Sequence, residues 1–396
     1  MVFRFPVEEV TEGKAKILVP SLNRIESEPL DHTRSRAQVF YNPTMCLNRD
    51  LAVLITKIET SRLGRIIRVC EPMCGTGVRG VRLALEGEAN VTMGDLNPSG
   101  IALTEENLRR NRIYTGVKVR EMDANLLLNL HSNPTYRFNY VDIDPYGSPA
   151  TYMDSAIRST IDGGIIALTA TDLAPLCGVN PNACLRKYGG RPLQSGYNHE
   201  IALRLMIGGF VRSAAIHELG VKPLLSYYVD HYVRSFMRIS KGAKKADYSL
   251  SELGFVLHCQ KCLHRIAKHG LAVRISNTCE KCGNKITVSG PMWLGDYSTQ
   301  EICDNMKNLI ENAPTIYDKR LEGLLSILRD EIGYPSTFFD VDEITRKLKL
   351  PSKSPSIIVE KLREAGFKAN ITHFKDRGIK TDATITDMLS VIRSAS

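Results

Sequence analysis

Residues 65–80 read RIIRVCEPMCGTGVRG. Ile66, Ile67 and Val69 form the short apolar run of a buried strand, Gly75-Thr76-Gly77 is a turn, and helical spacing begins near Val78. Strand, glycine turn and helix in that order open a β–α unit, whose ligands bind at the carboxyl end of the strand. Taken alone, GTGVRG satisfies the G-x-G-x-x-G dinucleotide pattern. Glu71 at the strand end argues against that ligand, because a carboxylate repels a pyrophosphate. It suits an ammonium, such as that of a methionine moiety, held directly or through water.

Three more strands repeat the plan. Asn90 to Met93 leads to Gly94-Asp95-Leu96-Asn97-Pro98, and Asp95 lies eighteen residues after Gly77, the spacing of a carboxylate that binds ribose hydroxyls. A helix follows from about Ser99 to Asn111, with Leu103 and Leu108 inward. Val117 to Met122 ends on Asp123-Ala124, where an adenine amine is usually met. The fourth strand lies in FNYVDIDPYGSPA, residues 138–150, where Val141 and Ile143 alternate with acids. Pro145 stops the ladder and Gly147 permits an unusual backbone angle. Asp144 and Tyr146 are thereby held at the same sheet edge. A carboxylate that accepts N–H groups and a ring that stacks suit a flat base bearing an amine; an ordinary strand end with an Asx turn is the plainer reading.

Upstream, VFYNPTMCLNRD (39–50) gives a strand-like run, a turn at Asn42-Pro43, and Asn48-Arg49-Asp50 opening a helix through Leu51, Leu54, Ile55 and Ile58. Arg49 falls in the first turn, where the helix dipole disfavours a cation; either a ligand carboxylate or solvent would compensate it. Downstream, the fifth strand, Gly164 to Thr171, runs into TDLAPLCGVNPNACLRKYGGRPL (171–193). Connections of this length are uncommon unless functional, and Arg186, Lys187 and Arg191 are available to phosphates or to solvent. A helix from about His199 to Glu218 and strands from Leu224 to Val233 and Arg234 to Ile239 complete a seven-stranded α/β domain. KGAKKAD (241–247) reads as a charged connector, which divides the chain into domains at 1–250 and 251–396.

The bulk properties agree. A chain of 396 residues is long for one domain, and 43% hydrophobic content supports real cores. No apolar run approaches the ~20 residues of a membrane span, and the start is not that of a signal peptide, so a cytoplasmic protein without a membrane partner is expected. The net charge of +9 favours a polyanionic partner. Ten cysteines are many for such a protein unless some bind metal. Cys259-x-x-Cys262 and Cys279-x-x-Cys282, with sixteen residues between the pairs, have zinc-ribbon spacing, and four thiolates close a tetrahedral site with no open position. A structural Zn2+ in a ribbon at about 255–290 is expected. Beyond it come helices through Ile302 to Leu309 and Leu321 to Leu328. Two short helices (Asp342 to Leu348, Ser354 to Glu364) and a β element with His373, Lys375, Arg377 and Lys380 then resemble a winged helix whose cations grip RNA or face solvent.

The acids at successive strand ends and the glycine turn resemble the class I S-adenosylmethionine-dependent methyltransferases, a Rossmann-like fold. Asp144-Pro145-Tyr146-Gly147 resembles the [Asn/Asp/Ser]-Pro-Pro-[Tyr/Phe] motif of amino-methyltransferases. Two departures are Met73 at the usual first glycine position of the glycine loop, and Gly147 ending the motif instead of an aromatic after two prolines. EGKAKI (12–17), FYNP-x-M-x-LNRD, GVRGVR, DIDPYGSP, TATDLAPLCG and THFKDRGIKT (372–381) together resemble one family, the tRNA (guanine-26-N2)-dimethyltransferases of the archaeal type. The resemblance implies S-adenosylmethionine as methyl donor, tRNA as partner and a C-terminal tRNA-binding domain, and no obligate protein partner is evident. It implies Asp144 as the catalytic acid, supported by Tyr146 and the Pro145 carbonyl. Glu71, Gly75, Gly77 and Asp95 fall in the family's nucleotide site, and Arg49, Arg79, Asp123 and Ala124 on its other cofactor positions. Methylation of a DNA adenine or another RNA guanine is the nearest alternative; a nicotinamide dehydrogenase and a non-catalytic RNA-binding protein are more distant ones.

Overall fold

The structure is a computed structural model and describes residues 3–21, 37–349 and 353–394. Among the described residues the strands form four sheets. Strands β1 (Val7–Glu12) and β2 (Ala15–Pro20) pair antiparallel. The principal sheet has seven strands: β3 (Arg68–Glu71), β4 (Asn90–Asp95), β5 (Val117–Glu121), β6 (Phe138–Ile143), β7 (Thr160–Ala170), β8 (Leu219–Val229) and β9 (Tyr232–Lys241). Their order is β5-β4-β3-β6-β7-β9-β8. β4 is parallel to β3 and β5, β3 is parallel to β6, and β8 and β9 form an antiparallel hairpin. Four helices follow the early strands as the β–α reading requires: α1 (Cys46–Leu63), α2 (Val78–Leu85), α3 (Pro98–Arg110) and α4 (Ala124–Leu130).

The chain divides into two compact units. One comprises Met1–Pro145, Asp154–Ala167 and Asp304–Gly323; the other comprises Tyr146–Met153, Leu168–Cys303 and Leu324–Ser396.

In the first unit, β3 and β4 bury Val69, Cys70, Val91 and Met93; of the expected strand run Ile67 is buried just before β3, whereas Ile66 lies outside the strand and is 61% exposed. The sequence places the start of α1 at Asn48-Arg49-Asp50, but the helix begins at Cys46. A 3-10 turn, Pro43–Met45, precedes it, and the Asn42 side chain accepts from Thr44 N at 3.1 Å. Asn48, Arg49 and Asp50 are therefore inside the helix and buried, not exposed at its end.

In the second unit, β10 (Leu253–His258), β11 (Arg265–His269) and β12 (Thr287–Trp293) form one small sheet; β13 (Phe339–Asp340), β14 (Ala369–Thr372) and β15 (Lys375–Thr381) form another. The β8–β9 turn falls at Asp230-His231, three residues before the expected break, because Asp230 takes the left-handed conformation (φ +54°) that a tight hairpin needs. The expected connector at 241–247 mostly coils into the helix Ala243–Ser251, whose small residues Ala246 and Ser249 are buried.

The helices Val341–Leu348 and Pro355–Glu364 pack with β13–β15 around Val341, Ile344, Ile358, Leu362 and Ile379, matching the expected two helices and β element. Its cations do not stand free. His373 Nδ1 meets Glu331 Oε2 at 2.6 Å and Lys380 donates to Glu200 Oε1 at 2.7 Å, all four side chains being buried. Lys375 pairs with Asp340 at 2.6 Å, and Arg377 pairs with Asp342. Burial pushes the Glu331 carboxyl up, but His373 and Lys380 outweigh it and hold the group at about 2.

Candidate active site and zinc-type cysteine cluster

The first unit brings the acids of three strand ends and the glycine turn to one edge. After Glu71 the chain turns through Gly75 (φ +54°) and Gly77 (φ +73°), the latter capping α2 in the left-handed region. Gly75 N donates to Asp95 Oδ2 at 2.7 Å, and Asp95 Oδ1 accepts from Asn97 N at 2.9 Å. The second-strand acid thus ties the glycine turn to the end of β4. Gly80 serves close packing: a Cβ there would lie 2.0 Å from Met93 Sδ. Asp123 is the N-cap of α4, accepting from Leu126 N at 3.0 Å, and Ala124 beside it is buried.

Arg79, in the first turn of α2, is the hub of the site. It is buried and donates to Glu71 Oε1 at 3.2 Å, Asn48 Oδ1 at 2.7 Å, Asp142 Oδ2 at 3.1 Å and the Asp144 carboxylate. Tyr140 donates to Asp142 as well. Glu71 Oε2 takes Gly80 N at 2.8 Å. Burial above all pushes the Glu71 carboxyl up to about 8; Arg79 pulls it down, and Asp142 and Asp144 push it further up. Tyr140 and Asp142 are alternate residues on one face of β6, and Asp144, directly after the strand's end, continues the spacing and meets the same Arg79. Asp144, 15% exposed in its side chain, is the member open to a substrate. Buried Pro145 and Tyr146, 85% exposed, follow it.

Arg49 is compensated by the protein itself. Its Nε and Nη2 donate to the two oxygens of Glu12, each at 2.6 Å, and Nη2 also reaches the Asn42 carbonyl at 3.1 Å. Burial pushes the Glu12 carboxyl up, but Arg49 and Arg82 hold it down at about 2. Arg82 also pairs with Asp50 at 2.7 Å, so the β1–β2 hairpin, α1 and α2 share one buried ion-pair cluster. Sequence reading missed Glu12, Asn48, Asp142 and Tyr140. The β6 alternation carried a signal for the last two; nothing local marked the first.

The sulfurs of Cys259, Cys262, Cys279 and Cys282, in the second unit, all lie within 4.8 Å of one another, with Cys259–Cys282 at 3.5 Å and Cys262–Cys279 at 3.6 Å. Tetrahedral zinc with Zn–S of ~2.3 Å sets sulfurs about 3.8 Å apart, so the four thiolates fit the ion and could hold it. Each pair sits on a tight turn, Leu263 N donating to Cys259 O and Gly283 N to Cys279 O. Backbone and side-chain N–H groups of Asn284 pull the Cys282 thiol below its ordinary value. The other cysteines among the described residues form no such group.

A family model for N2,N2-dimethylguanosine tRNA methyltransferases matches residues 13–393. The chain belongs to this family. Among its relatives, the tRNA (guanine(26)-N(2))-dimethyltransferase of Methanosarcina acetivorans is 35% identical over 394 residues, covering 98% of each chain. That of Pyrococcus abyssi is 35% identical over 399 residues, covering 98% of this chain and 99% of its own. The solved structure of Trm1 from Pyrococcus horikoshii, a complex with S-adenosyl-L-methionine, superposes with a TM-score of 0.82 at 33% identity, covering 97% of this chain and 99% of that one. The family's fold therefore extends over nearly the whole chain.

Proposed function

We propose that this protein transfers methyl groups from S-adenosylmethionine to the exocyclic N2 amine of guanosine 26 in tRNA, giving N2-methyl- and then N2,N2-dimethylguanosine. The observation that carries the reading is the partly open Asp144 carboxylate. It is held by Arg79 on the face that the glycine turn and Asp95 also line.

The residues present fit the cofactor. The positive-φ turn at Gly75 and Gly77 lies beside Asp95, which keeps lone pairs for ribose hydroxyls; Asp123 would accept from an adenine amine and the Ala124 amide N–H would meet a ring nitrogen. Arg49 and Arg79 would meet the carboxylate of the methionine part, Arg49 through Nη1, since Glu12 and Asn42 take its other edge. Glu71 reaches the ammonium through water, its direct bonds being committed to Arg79 and Gly80. When bound, the cofactor supplies an electrophilic methyl group.

The guanine amine is a poor nucleophile because its lone pair is delocalised into the ring. Asp144 accepts one N–H, localises the lone pair and takes the proton as positive charge develops. The Pro145 carbonyl takes the other N–H, and the exposed Tyr146 ring stacks on the base. Holding the amine in line with the methyl group supplies much of the rate. A base inside folded tRNA must flip out to reach this edge, at a cost of a few kcal/mol. Contacts to the tRNA backbone, from the domain at 1–250 and from a tRNA-binding domain at 251–396, offset that cost and make affinity salt-dependent. No helix among the described residues is long and apolar enough to cross a membrane, and the cytoplasm is the proposed location.

Nucleoside mass spectrometry of unmodified tRNA after incubation with the protein and S-adenosylmethionine tests the reading. Mono- and dimethylguanosine at position 26 are expected. Methylation of another guanosine, or of adenine in supplied DNA, replaces it with the alternative substrate.

A further inference from the structure

The connection after β7 grips the turn that carries Tyr146, and all the residues involved lie in the second unit. Gly147 N donates to Thr171 Oγ1 at 2.8 Å, and Thr171 N donates back to the Gly147 carbonyl at 3.0 Å. One residue further, Ser148 Oγ donates to the Tyr188 hydroxyl at 2.8 Å, and that hydroxyl donates to Asp172 Oδ1 at 2.6 Å. Lys187 Nζ holds the other oxygen of Asp172 at 2.8 Å. Tyr188 is buried, whereas the Tyr146 ring stands 85% exposed.

Gly147 has φ of +98°, yet a Cβ built on it would meet nothing within 4 Å. Glycine is required there for the backbone angle and not for room. The two peptide groups flanking Gly147 are held by the paired hydrogen bonds with Thr171, and the Ser148 side chain is held by Tyr188, so both constrain the backbone from which the Tyr146 ring projects.

We propose that Thr171 and Tyr188 are positioning residues for methyl transfer: they fix the plane of Tyr146, and through it the orientation of the flipped guanine. The proposal rests on the assignment of Tyr146 to stacking. Misplacement by ~1 Å costs about 10²-fold in rate when the reacting atoms must be aligned. The second methylation is the more sensitive step, because the monomethylated amine has one N–H left and fewer productive orientations. A loosened ring therefore raises the fraction of product that stops at N2-methylguanosine.

The test uses the full chain with S-adenosylmethionine and unmodified tRNA, comparing Thr171→Val, Tyr188→Phe and Ser148→Ala. Ser148→Ala breaks the same chain of bonds from the turn side and leaves buried Tyr188 in place. Expected are unchanged cofactor affinity by calorimetry, single-turnover transfer at saturating tRNA reduced by about 10–100-fold for Thr171→Val, a higher monomethyl fraction in all three, and recovery in Thr171→Ser. In a Tyr146→Ala background, Thr171→Val should cost nothing further, as for two residues acting through one contact. Equal losses with and without the Tyr146 ring, or wild-type rate and product ratio in all three variants while Tyr146→Ala is impaired, overturn the proposal and leave the stacking assignment standing. Wild-type transfer by Tyr146→Ala overturns both.

Discussion

Arg79 donates to the carboxylate of Asp144, joining the first turn of α2 to the end of β6 across 65 residues of chain. The same guanidinium serves Glu71 and Asp142, so one buried cation orients three carboxyl groups. An acid held in this way has little freedom to choose its direction, which is what an in-line transfer asks of the group that receives the proton.

Asp144→Asn keeps the size and one acceptor oxygen, and so keeps a partner for Arg79, but it cannot take a proton at neutral pH. Methyl transfer should fall by about 10²–10⁴-fold, the usual contribution of general acid–base catalysis. Cofactor and tRNA affinities should stay nearly constant, since the loss is confined to the transition state. Single-turnover transfer of labelled methyl groups measures the first, and equilibrium titration the second. Near-normal transfer would falsify the assignment of Asp144 as base.

Glu71 gives stability a pH dependence of definite sign. Its carboxyl is pushed from the ordinary 4.5 up to about 8, chiefly by burial. Between those values the folded protein holds a proton that the unfolded chain has released, so stability is fullest below the window and falls as pH rises through it. Denaturant midpoints measured across the window should show the decline. Glu71→Gln, which retains an acceptor for Gly80 N, should flatten it; an unchanged slope assigns the effect to another group.

Asp95→Ala removes the proposed ribose contact and also the acceptor that ties Gly75 to β4. Loss of a charge-assisted hydrogen bond is worth roughly 1.5–3 kcal/mol, which should appear as weaker S-adenosylmethionine binding by calorimetry. Binding of tRNA should barely change. Cofactor affinity equal to wild type removes Asp95 from the site.

The four sulfurs should hold about one zinc per chain, through thiolates. Cys259→Ser, or treatment with a strong chelator, should lower the melting temperature of the second unit and leave cofactor binding intact. Elemental analysis and a melting curve decide it; a metal-free protein that melts as the loaded one does excludes the ribbon.

The parallel strands, the glycine turn and the acids at their ends were legible because the signals are local: a period of two in the strands, a turn in between, a carboxylate where each strand stops. Asp142 was missed, although the same alternation carries the signal that it faces the way Asp144 faces. The partner of Arg49 was not, because Glu12 lies 37 residues away in a hairpin whose sequence announces nothing about its neighbours. The start of α1 was misplaced for a related reason: Asn48 and Asp50 resemble caps by type, and only their burial against Arg79 and Arg82 reveals otherwise. His373 and Lys380 look like surface cations until Glu331 and Glu200 are found opposite them.

That last pair has a consequence for how the protein is made. Glu200 leaves the ribosome 180 residues ahead of Lys380, the cation that meets it in the finished fold. Until then Arg204 is the neighbour on its own helix available to it, and the second unit waits for almost the entire chain before its interior charges balance. A nascent chain arrested before β15 would carry an unfinished, sticky half that chaperones must shield, although residues 1–145 had long since been delivered.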